Sequence, residues 1–162
     1  MIACPRNDGV VDTTESDAWD RRLRSTDWGS VKTAYGVADD VPALLRELRF
    51  GSDEAPVEAA NRLWASLCHQ HAYVSSAALP ALPFLVEVLS QQSSGPLAEE
   101  LLDIMLGFAR CTGPEYGVAP GWANELRLEM KKLSELLAWW ATKGTAAERE
   151  LASSTLDALA ES

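Results

Sequence analysis

The chain is poor in the residues that metal sites and disulfide scaffolds require. It has two histidines, His69 and His71, and three cysteines, Cys4, Cys68 and Cys111, which form no CxxC pair. Disulfide frameworks normally use an even number of cysteines in a regular pattern. Cys68, His69 and His71 are residue types that bind zinc, but their spacing does not place a ligand pair on one face of a helix. We therefore predict no disulfide framework, no bound metal and no cofactor.

Sequence signatures of catalysis are also scarce. The chain has no glycine-rich phosphate loop, and its serines lack the strand–turn–helix context of a nucleophile elbow. Neighbouring carboxylates occur at residues 39–40 and 99–100, but each pair falls near an expected helix start, where the helix dipole favours negative charge. We therefore predict that the chain is not an enzyme.

Long apolar runs are missing as well. No segment approaches the about 18 uninterrupted apolar residues that a membrane span needs. The chain begins MIACPRND, without the apolar core and cleavage pattern of a signal peptide. We expect a cytoplasmic protein with no membrane partner. Residues 1–13 have little apolar content and contain Pro5 and Gly9, so we expect them to be loosely ordered.

Positive charge is scarce and unevenly distributed. The 162 residues include 14 Lys and Arg against 24 Asp and Glu, which gives a net charge of −10, and between positions 51 and 100 Arg62 is the only Lys or Arg. Because nucleic acids attract proteins largely through Lys and Arg, we predict no nucleic-acid partner. An acidic field favours the capture of a basic protein. Many soluble proteins, however, are acidic for solubility alone.

What the chain does have is an internal repeat. Residues 41–48 read VPALLREL, and residues 82–89, shifted by 41 positions, read LPFLVEVL. A polar gap with a proline, Pro56 or Pro96, follows each copy, and a second apolar run at helical spacing follows each gap. These second runs contain Ala60, Leu63, Trp64 and Leu67, and then Leu101, Leu102, Met105 and Leu106. A period of about 40 residues built from two helices is typical of α-solenoids of the HEAT or armadillo type.

The predicted fold is therefore all-α: a short α-solenoid of HEAT-like helix pairs in a single domain, residues 1–162. We expect two clear pairs at residues 39–70 and 77–111, and a divergent third pair at 121–160. No segment alternates with period two for long enough to predict a strand.

Three local predictions complete this interpretation of the fold. A short helix is expected around residues 27–34, and one long amphipathic helix over residues 121–142. The last helix should begin with a capping box, because Glu148 follows Thr145 at the required spacing.

The apolar spacing also predicts a core. The leucines expected to be largely buried are Leu44, Leu48, Leu63, Leu67, Leu85, Leu102 and Leu106. At least two of the helical tryptophans Trp64, Trp139 and Trp140 should belong to the core. Trp19, Trp28 and Trp122 lie near segment ends and are candidates for exposed interface anchors.

Part of the sequence resembles a known family. The similarity rests on Trp28, on AYGVA at 34–38, on DVPALL at 40–45, on LCHQ at 67–70 with Tyr73, and on ALPFL at 81–85. Over roughly residues 28–90 the chain resembles small bacterial HEAT-repeat proteins, of the kind abundant in actinobacteria. Members often carry His-Gln-Gly where the helix ends, and His71 replaces that glycine here. Small acidic solenoids of this sort are also similar to immunity proteins, which neutralise a secreted toxin's catalytic domain inside the producing cell.

Charge and resemblance together favour a protein-binding module. The leading hypothesis is an immunity protein that neutralises a cognate, basic toxin or effector domain. The alternative is a stand-alone HEAT-repeat scaffold for cellular proteins, and the third hypothesis is an enzyme built on the solenoid.

The second helix of each pair commonly lines the concave face of a solenoid, so residues 55–68 and 97–111 are expected to form the interface. The predicted partner-binding residues are Asp53, Glu54, Glu58, Glu99, Glu100 and Asp103, with Tyr116 and Trp122 as aromatic anchors. A further set, His69, Gln70 and Tyr73, is expected either to form a hydrogen-bonded tie between repeats or to contact a partner.

Overall fold

Helices make up most of the chain that the structure, a computed structural model, describes: residues 13–116 and 120–161. The α-helices are α1 (Thr13–Arg24), α2 (Val41–Phe50), α3 (Ala55–Leu67), α4 (Ala78–Ser90), α5 (Pro96–Cys111), α6 (Gly121–Lys131), α7 (Ser134–Lys143) and α8 (Ala146–Ala160). Two-residue strands, β1 (Lys32–Thr33) and β2 (Gly36–Val37), and 3-10 helices at Trp28–Ser30, His69–His71 and Pro114–Tyr116 lie between them. The all-α class is confirmed. Apart from Thr13, the residues expected to be loosely ordered lie outside the described ranges.

Proline positions determine where several helices start. Pro42, Pro56 and Pro96 lie in the first turns of α2, α3 and α5. A first-turn residue has no intrahelical acceptor for its N–H, so proline loses nothing there and its fixed φ suits the helix. α4 differs, because Pro83 lies inside the helix. The prolines therefore mark the starts of α2, α3 and α5 more closely than the apolar pattern alone does.

The helices pack so that α5 is central. α2 contacts α3 and α4, α3 contacts α5, and α5 contacts α8, which also packs along α7. Ten residues of the 16-residue α5 are buried. Consequently α3, α5 and α8 lie in one row with α5 in the middle, and only a narrow side of α5 reaches the surface.

The predicted core is confirmed. All seven leucines expected to be buried are 0–4% exposed. Their spacing places them on the sides of α2, α3, α4 and α5 that face one another. The apolar periodicity was therefore sufficient to identify the buried face of each of these helices.

The helix predicted around residues 27–34 is wrong. The 3-10 helix Trp28–Ser30 is followed by an antiparallel hairpin in which Lys32 pairs with Val37 and Thr33 pairs with Gly36. The prediction that the chain contains no strand is wrong to the extent of this hairpin.

Besides pairing strand to strand, the hairpin is held by hydrogen bonds to distant segments. The N–H of Ala34 donates to the carbonyl of Ser66 at 2.8 Å, and the N–H of Ala77 donates to the carbonyl of Lys32 at 2.9 Å. The N–H of Lys32 donates to the Ser76 hydroxyl at 2.9 Å. Such non-local bonds cannot be inferred from local helical spacing.

The single helix predicted over residues 121–142 is also wrong, because α6 and α7 are separate. At the break, Lys132 N–H donates to the carbonyl of Glu129 and Leu133 N–H donates to that of Met130, which are tight, 3-10-type bonds. α6 contacts α4 and α5, and α8 to a smaller extent, whereas α7 packs along α8. The two helices therefore have different main neighbours.

Two of the tryptophans considered as interface anchors belong to the core. Trp19 is 2% and Trp28 is 6% exposed. Trp19 lies edge-on to Phe50 and Phe84, with ring centroids 6.0 and 4.9 Å away. Of the others, Trp140 is buried, Trp64 and Trp122 are half-buried, and Trp139 is exposed.

The capping box predicted for α8 is confirmed, and its carboxylate does more than cap. Glu148 accepts from the backbone N–H of Thr145 and, 53 residues away, from that of Gly95, each at 2.8 Å. Burial alone would raise the pKa of Glu148, but these backbone bonds, together with side-chain bonds from Ser94 and Thr145, outweigh burial and lower the pKa. Glu148 thus joins the start of α8 to the linker between α4 and α5.

Arg127 also connects separate helices, through hydrogen bonds donated by its positively charged guanidinium. Its Nη1 donates to the carbonyl of Ala109 at 3.0 Å, and its Nη2 donates to the carbonyls of Ala158 and Glu161 at 2.6 and 2.8 Å. These carbonyls lie at the C-terminal ends of α5 and α8, where the helix dipole favours a cation. Arg127 therefore fastens α6 to the ends of two helices.

Candidate functional site

The surface-facing side of α5 carries three carboxylates: Glu99, Glu100 and Asp103, here called the acidic stripe. Residues three and four positions apart share one side of a helix. Glu99 is exposed, while Glu100 and Asp103 are half-buried. The structure thus brings together three of the predicted partner-binding residues.

The acidic stripe is electrostatically unfavourable as it stands. The pKa of Glu100 is raised from its ordinary value of 4.5, first by burial and then by the charges of Asp103 and Glu99, while a hydrogen bond with the Asn61 side chain partly opposes the rise. Among the described residues, no Lys or Arg forms an ion pair with the stripe. The stripe therefore contains mutually repelling charges without a cationic partner of that kind.

His71 contacts the acidic stripe at Asp103, its C-terminal member. Its Nε2 lies 3.0 Å from the backbone carbonyl oxygen and 3.2 Å from Oδ1 of Asp103. Both oxygens accept, so Nε2 carries the proton. The φ of His71 is +66°, a conformation that glycine adopts readily. The contacts with Asp103 hold the side chain of this strained residue against α5.

Close packing makes this arrangement possible. A Cβ atom at Gly107 of α5 would lie 2.8 Å from Sγ of Cys68 and 2.9 Å from Cδ2 of His71. Any larger residue at position 107 would therefore push the His69–His71 segment away from α5. Gly107 thus sets the position of His71 beside Asp103.

The thiols in this region are protonated at neutral pH. Burial, reinforced by Cys111 and Asp103 and opposed by a backbone hydrogen bond from His71, raises the pKa of Cys68 to about 12. Burial is also the main cause of the raised pKa of Cys111. Both side chains are buried, whereas a nucleophilic cysteine needs an accessible thiolate. Cys4 lies outside the described residues.

Within residues 13–116 and 120–161, no group of three or more His, Cys, Asp and Glu side chains is arranged to hold a metal ion. The same part of the chain contains no helix with the length and apolar character needed to cross a membrane.

The predicted acidic residues outside α5 lie at or before the start of α3. Glu58 is exposed and lies one turn before Asn61, the residue that bonds Glu100, so both occupy one side of α3. Asp53, with φ +54°, and Glu54 form the exposed turn that precedes the helix. Glu58 therefore extends the acidic surface from α5 onto α3.

The two predicted aromatic anchors have different surroundings. Tyr116 is 47% exposed and hydrogen-bonds the thiol of Cys111. It also lines an open cleft of about 450 Å³, together with His71 and Arg110. Trp122, by contrast, is half-buried in the first turn of α6. Tyr116 is thus the predicted anchor that lies near the His71 end of the stripe.

Sequence reasoning missed a cluster of three rings, Tyr35, His69 and Tyr73, here called the aromatic cluster. His69 stacks on Tyr73 with ring centroids 4.9 Å apart, and Tyr35 lies edge-on to His69 at 6.3 Å. Tyr35 is 73% and Tyr73 is 45% exposed. Tyr35 lies at helical spacing from Trp28 and Val31 in the sequence, so the local pattern contained no signal that would place it beside His69.

The described contacts of the His69 ring are aromatic, and the hydrogen-bonded tie expected of His69, Gln70 and Tyr73 stays a prediction. Nδ1 of His69 is buried without a hydrogen-bond partner among the described residues, and the ring instead makes the aromatic contacts above. The tie between this loop and α5 is made by His71 through Asp103. The side chain of Gln70, the third residue of the predicted tie, lies outside what the structure describes.

Comparisons with protein-family models, with curated proteins and with solved structures found no match to this chain.

Proposed function

We propose that the chain is a cytoplasmic protein-binding module whose partner presents a basic surface to the acidic stripe and Glu58. The observation that carries the proposal is the grouping of Glu99, Glu100 and Asp103 on the exposed side of α5 without a Lys or Arg ion pair among the described residues. Lysine or arginine side chains of a partner would relieve the repulsion within this group.

The arrangement of helices supports a HEAT-like interpretation of the surface. α2 and α3 form one contacting pair and α4 and α5 another, and the corresponding helices also touch, α2 with α4 and α3 with α5. In a solenoid built this way, second helices such as α3 and α5 line a shared face. The acidic residues of the proposed interface lie on these helices or in the turn before α3.

Most concretely, we propose an immunity protein that covers the substrate groove of a toxin domain. Many toxin domains act on nucleic acids and therefore have basic grooves. An acidic inhibitor would be steered towards such a groove and would occupy it once bound. A stand-alone scaffold for cellular proteins would use the same surface and is the alternative outcome of the test.

The test compares two variants that lose the same amount of charge. The stripe variant is Glu99→Gln/Glu100→Gln/Asp103→Asn, in which the new asparagine side chain retains an oxygen that can accept from His71. The control variant neutralises three exposed carboxylates elsewhere, namely Glu125→Gln/Glu135→Gln/Glu150→Gln. Each tagged full-length chain is used to purify partners from the source organism.

We expect wild type and the control variant to recover a basic protein that the stripe variant fails to recover. Expression of that protein alone should arrest growth, and co-expression with wild type should restore it. If expression of the recovered partner alone does not arrest growth, the scaffold is favoured over the immunity protein. If all three chains recover the same proteins in the same amounts, the acidic stripe is not the binding surface.

A further inference from the structure

The aromatic cluster exposes two large tyrosine side chains to solvent. The core residues around it are already covered, whereas Tyr35 and Tyr73 leave 73% and 45% of their surface in solvent. Val37, on the same hairpin as Tyr35, is 50% exposed. Large, exposed aromatic side chains of this kind are enriched at the energetic centres of protein interfaces.

Hydrogen bonds anchor the backbone at Tyr35, one member of the aromatic cluster. The turn that carries Tyr35 is anchored by the bond from Ala34 N–H to the Ser66 carbonyl, and the Tyr35 N–H donates to the Thr33 hydroxyl at 3.1 Å. Preorganised rings lose little conformational entropy when a partner binds. The anchored backbone at Tyr35 therefore lowers the entropy cost of a partner binding there.

His69 has a strained conformation at the centre of this surface. Its φ is +35°, which a non-glycine residue rarely adopts, and its buried Nδ1 has no hydrogen-bond partner among the described residues. Non-glycine residues in such conformations cost free energy and concentrate at binding and catalytic sites. In this conformation the imidazole contacts both tyrosine rings.

The cluster is continuous with the acidic stripe. His69 and His71 belong to one 3-10 helix, and His71 contacts Asp103 of the stripe. The Trp64 ring of α3 lies edge-on to His71 at 6.2 Å. The His69–His71 segment therefore links the aromatic cluster to the Asp103 end of the acidic stripe.

We infer that the basic partner of the proposed function binds through arginine side chains, with at least one guanidinium stacked on the aromatic cluster while others pair with the acidic stripe. This inference rests on the proposed function and specifies the chemistry of its partner. A planar guanidinium stacks on aromatic faces and forms two parallel bonds to a carboxylate, whereas the lysine ammonium is a strongly hydrated point charge. Adjacent tyrosine rings and carboxylates therefore select arginine over lysine.

The charges nearest Tyr35 do not by themselves explain such a preference. A cleft beside Tyr35 contains both Asp40 and Arg62, whose charges are opposite. Stacking on the rings is therefore the part of the arginine preference that changing the two tyrosines tests.

The experiment uses the full chain and fluorescent peptides of equal length in which glycine alternates with arginine, lysine or glutamate. Fluorescence anisotropy at low salt gives the affinity for each peptide. We expect wild type to bind the arginine peptide more tightly than the lysine peptide and not to bind the glutamate peptide. The Tyr35→Ala/Tyr73→Ala variant should bind the arginine peptide about fivefold more weakly, with little change for the lysine peptide.

Two controls separate stacking from other effects. Tyr35→Phe/Tyr73→Phe retains both rings and should retain the preference for arginine. Trp139→Ala removes an exposed aromatic ring of α7, 50% exposed, and should change neither affinity. Circular dichroism and thermal unfolding of each variant show whether the fold is intact.

Equal binding of arginine and lysine peptides by wild type would overturn the inference, and so would an arginine preference that is undiminished in the double alanine variant. If the basic peptides bind the stripe variant more weakly than wild type, the proposed function remains, and only the inferred stacking of arginine on the aromatic cluster is wrong. If neither basic peptide binds wild type at low salt, both proposals are wrong.

Discussion

Glu148 and Glu100 are carboxylates whose surroundings shift their pKa values in opposite directions. Glu148 is 1% exposed, yet its pKa is lowered, because hydrogen bonds from the backbone of Thr145 and Gly95 outweigh the burial that would raise it. Glu100 is more exposed, yet its pKa is raised by burial and by the neighbouring charges of Asp103 and Glu99. Exposure alone therefore does not determine whether a carboxylate favours its charged form.

The difference separates a structural carboxylate from carboxylates available to a partner. The oxygens of Glu148 accept from donors within the chain, and the resulting bonds connect two parts of the fold. The acidic stripe has no Lys or Arg ion pair among the described residues, and its members repel one another. Replacing Glu148 should therefore damage the fold, whereas neutralising the stripe should damage binding only.

The largest effect is expected for Glu148→Ala. The change removes the acceptor of two backbone N–H groups, so we expect a loss of about 2–3 kcal/mol in the free energy of unfolding. Urea unfolding followed by circular dichroism measures it. The matched control is Glu150→Ala, which removes an exposed carboxylate from the same helix and should change stability little. Equal stability of both variants would mean that Glu148 is not the tie described here.

Arg127→Met should have the next largest effect. The methionine keeps apolar bulk but removes the guanidinium that donates to the carbonyls of Ala109, Ala158 and Glu161, and we expect a loss of about 1–3 kcal/mol. Arg149→Met, at an exposed position of α8, is the control. Amide hydrogen exchange should show faster opening at the ends of α5 and α8 in the Arg127 variant, and unchanged exchange there would contradict the proposed role.

The pH dependence of stability should show the two carboxylates acting in opposite directions. The pKa of Glu148 is lowered on folding, so its contribution is complete above the ordinary pKa and is lost as the pH falls through the lowered value. The pKa of Glu100 is raised on folding, so its penalty applies above the raised value and is relieved as the pH falls towards 4.5. Urea unfolding at pH values below and above 4.5 measures both contributions. The loss of stability below pH 4.5 should be smaller in Glu148→Ala, and the gain in stability as the pH falls towards 4.5 should be smaller in Glu100→Gln. An unchanged pH dependence would refute these assignments.

The smallest effect is expected for Glu100→Gln at neutral pH. Removing one of three repelling charges should leave stability unchanged or raise it by a few tenths of a kcal/mol, because water screens this half-exposed group. Glu135→Gln, at an exposed position of α7, provides the comparison. A clear loss of stability in the Glu100 variant would indicate that the stripe has a structural role.

Local patterns predicted the parts of this account that depend on local spacing. The helical period identified the seven buried leucines and placed Glu99, Glu100 and Asp103 on one side of α5. The capping box of Thr145 and Glu148 was predictable because its partners lie three residues apart. The bond from Glu148 to Gly95 was not, because it joins residues 53 positions apart.

Non-local contacts explain the failures as well. The hairpin replaced a predicted helix because Lys32 and Ala34 bond to backbone or side-chain groups beyond residue 65. The aromatic cluster exists only because this hairpin brings Tyr35 to His69 and Tyr73. Likewise, α6 and α7 have different main neighbours, which periodicity within residues 121–142 does not reveal.

The most direct test of the central claim is an NMR titration of the side-chain carboxyl of Glu100 in the full chain, alone and with the arginine–glycine peptide. In the free chain the pKa should lie above 4.5, and it should fall when the peptide binds, because the incoming cations offset Asp103 and Glu99. The Glu125 carboxyl serves as the reference and should not respond. A Glu100 pKa at or below its ordinary value, unchanged by the peptide, would contradict the view that these carboxylates are available to a basic partner.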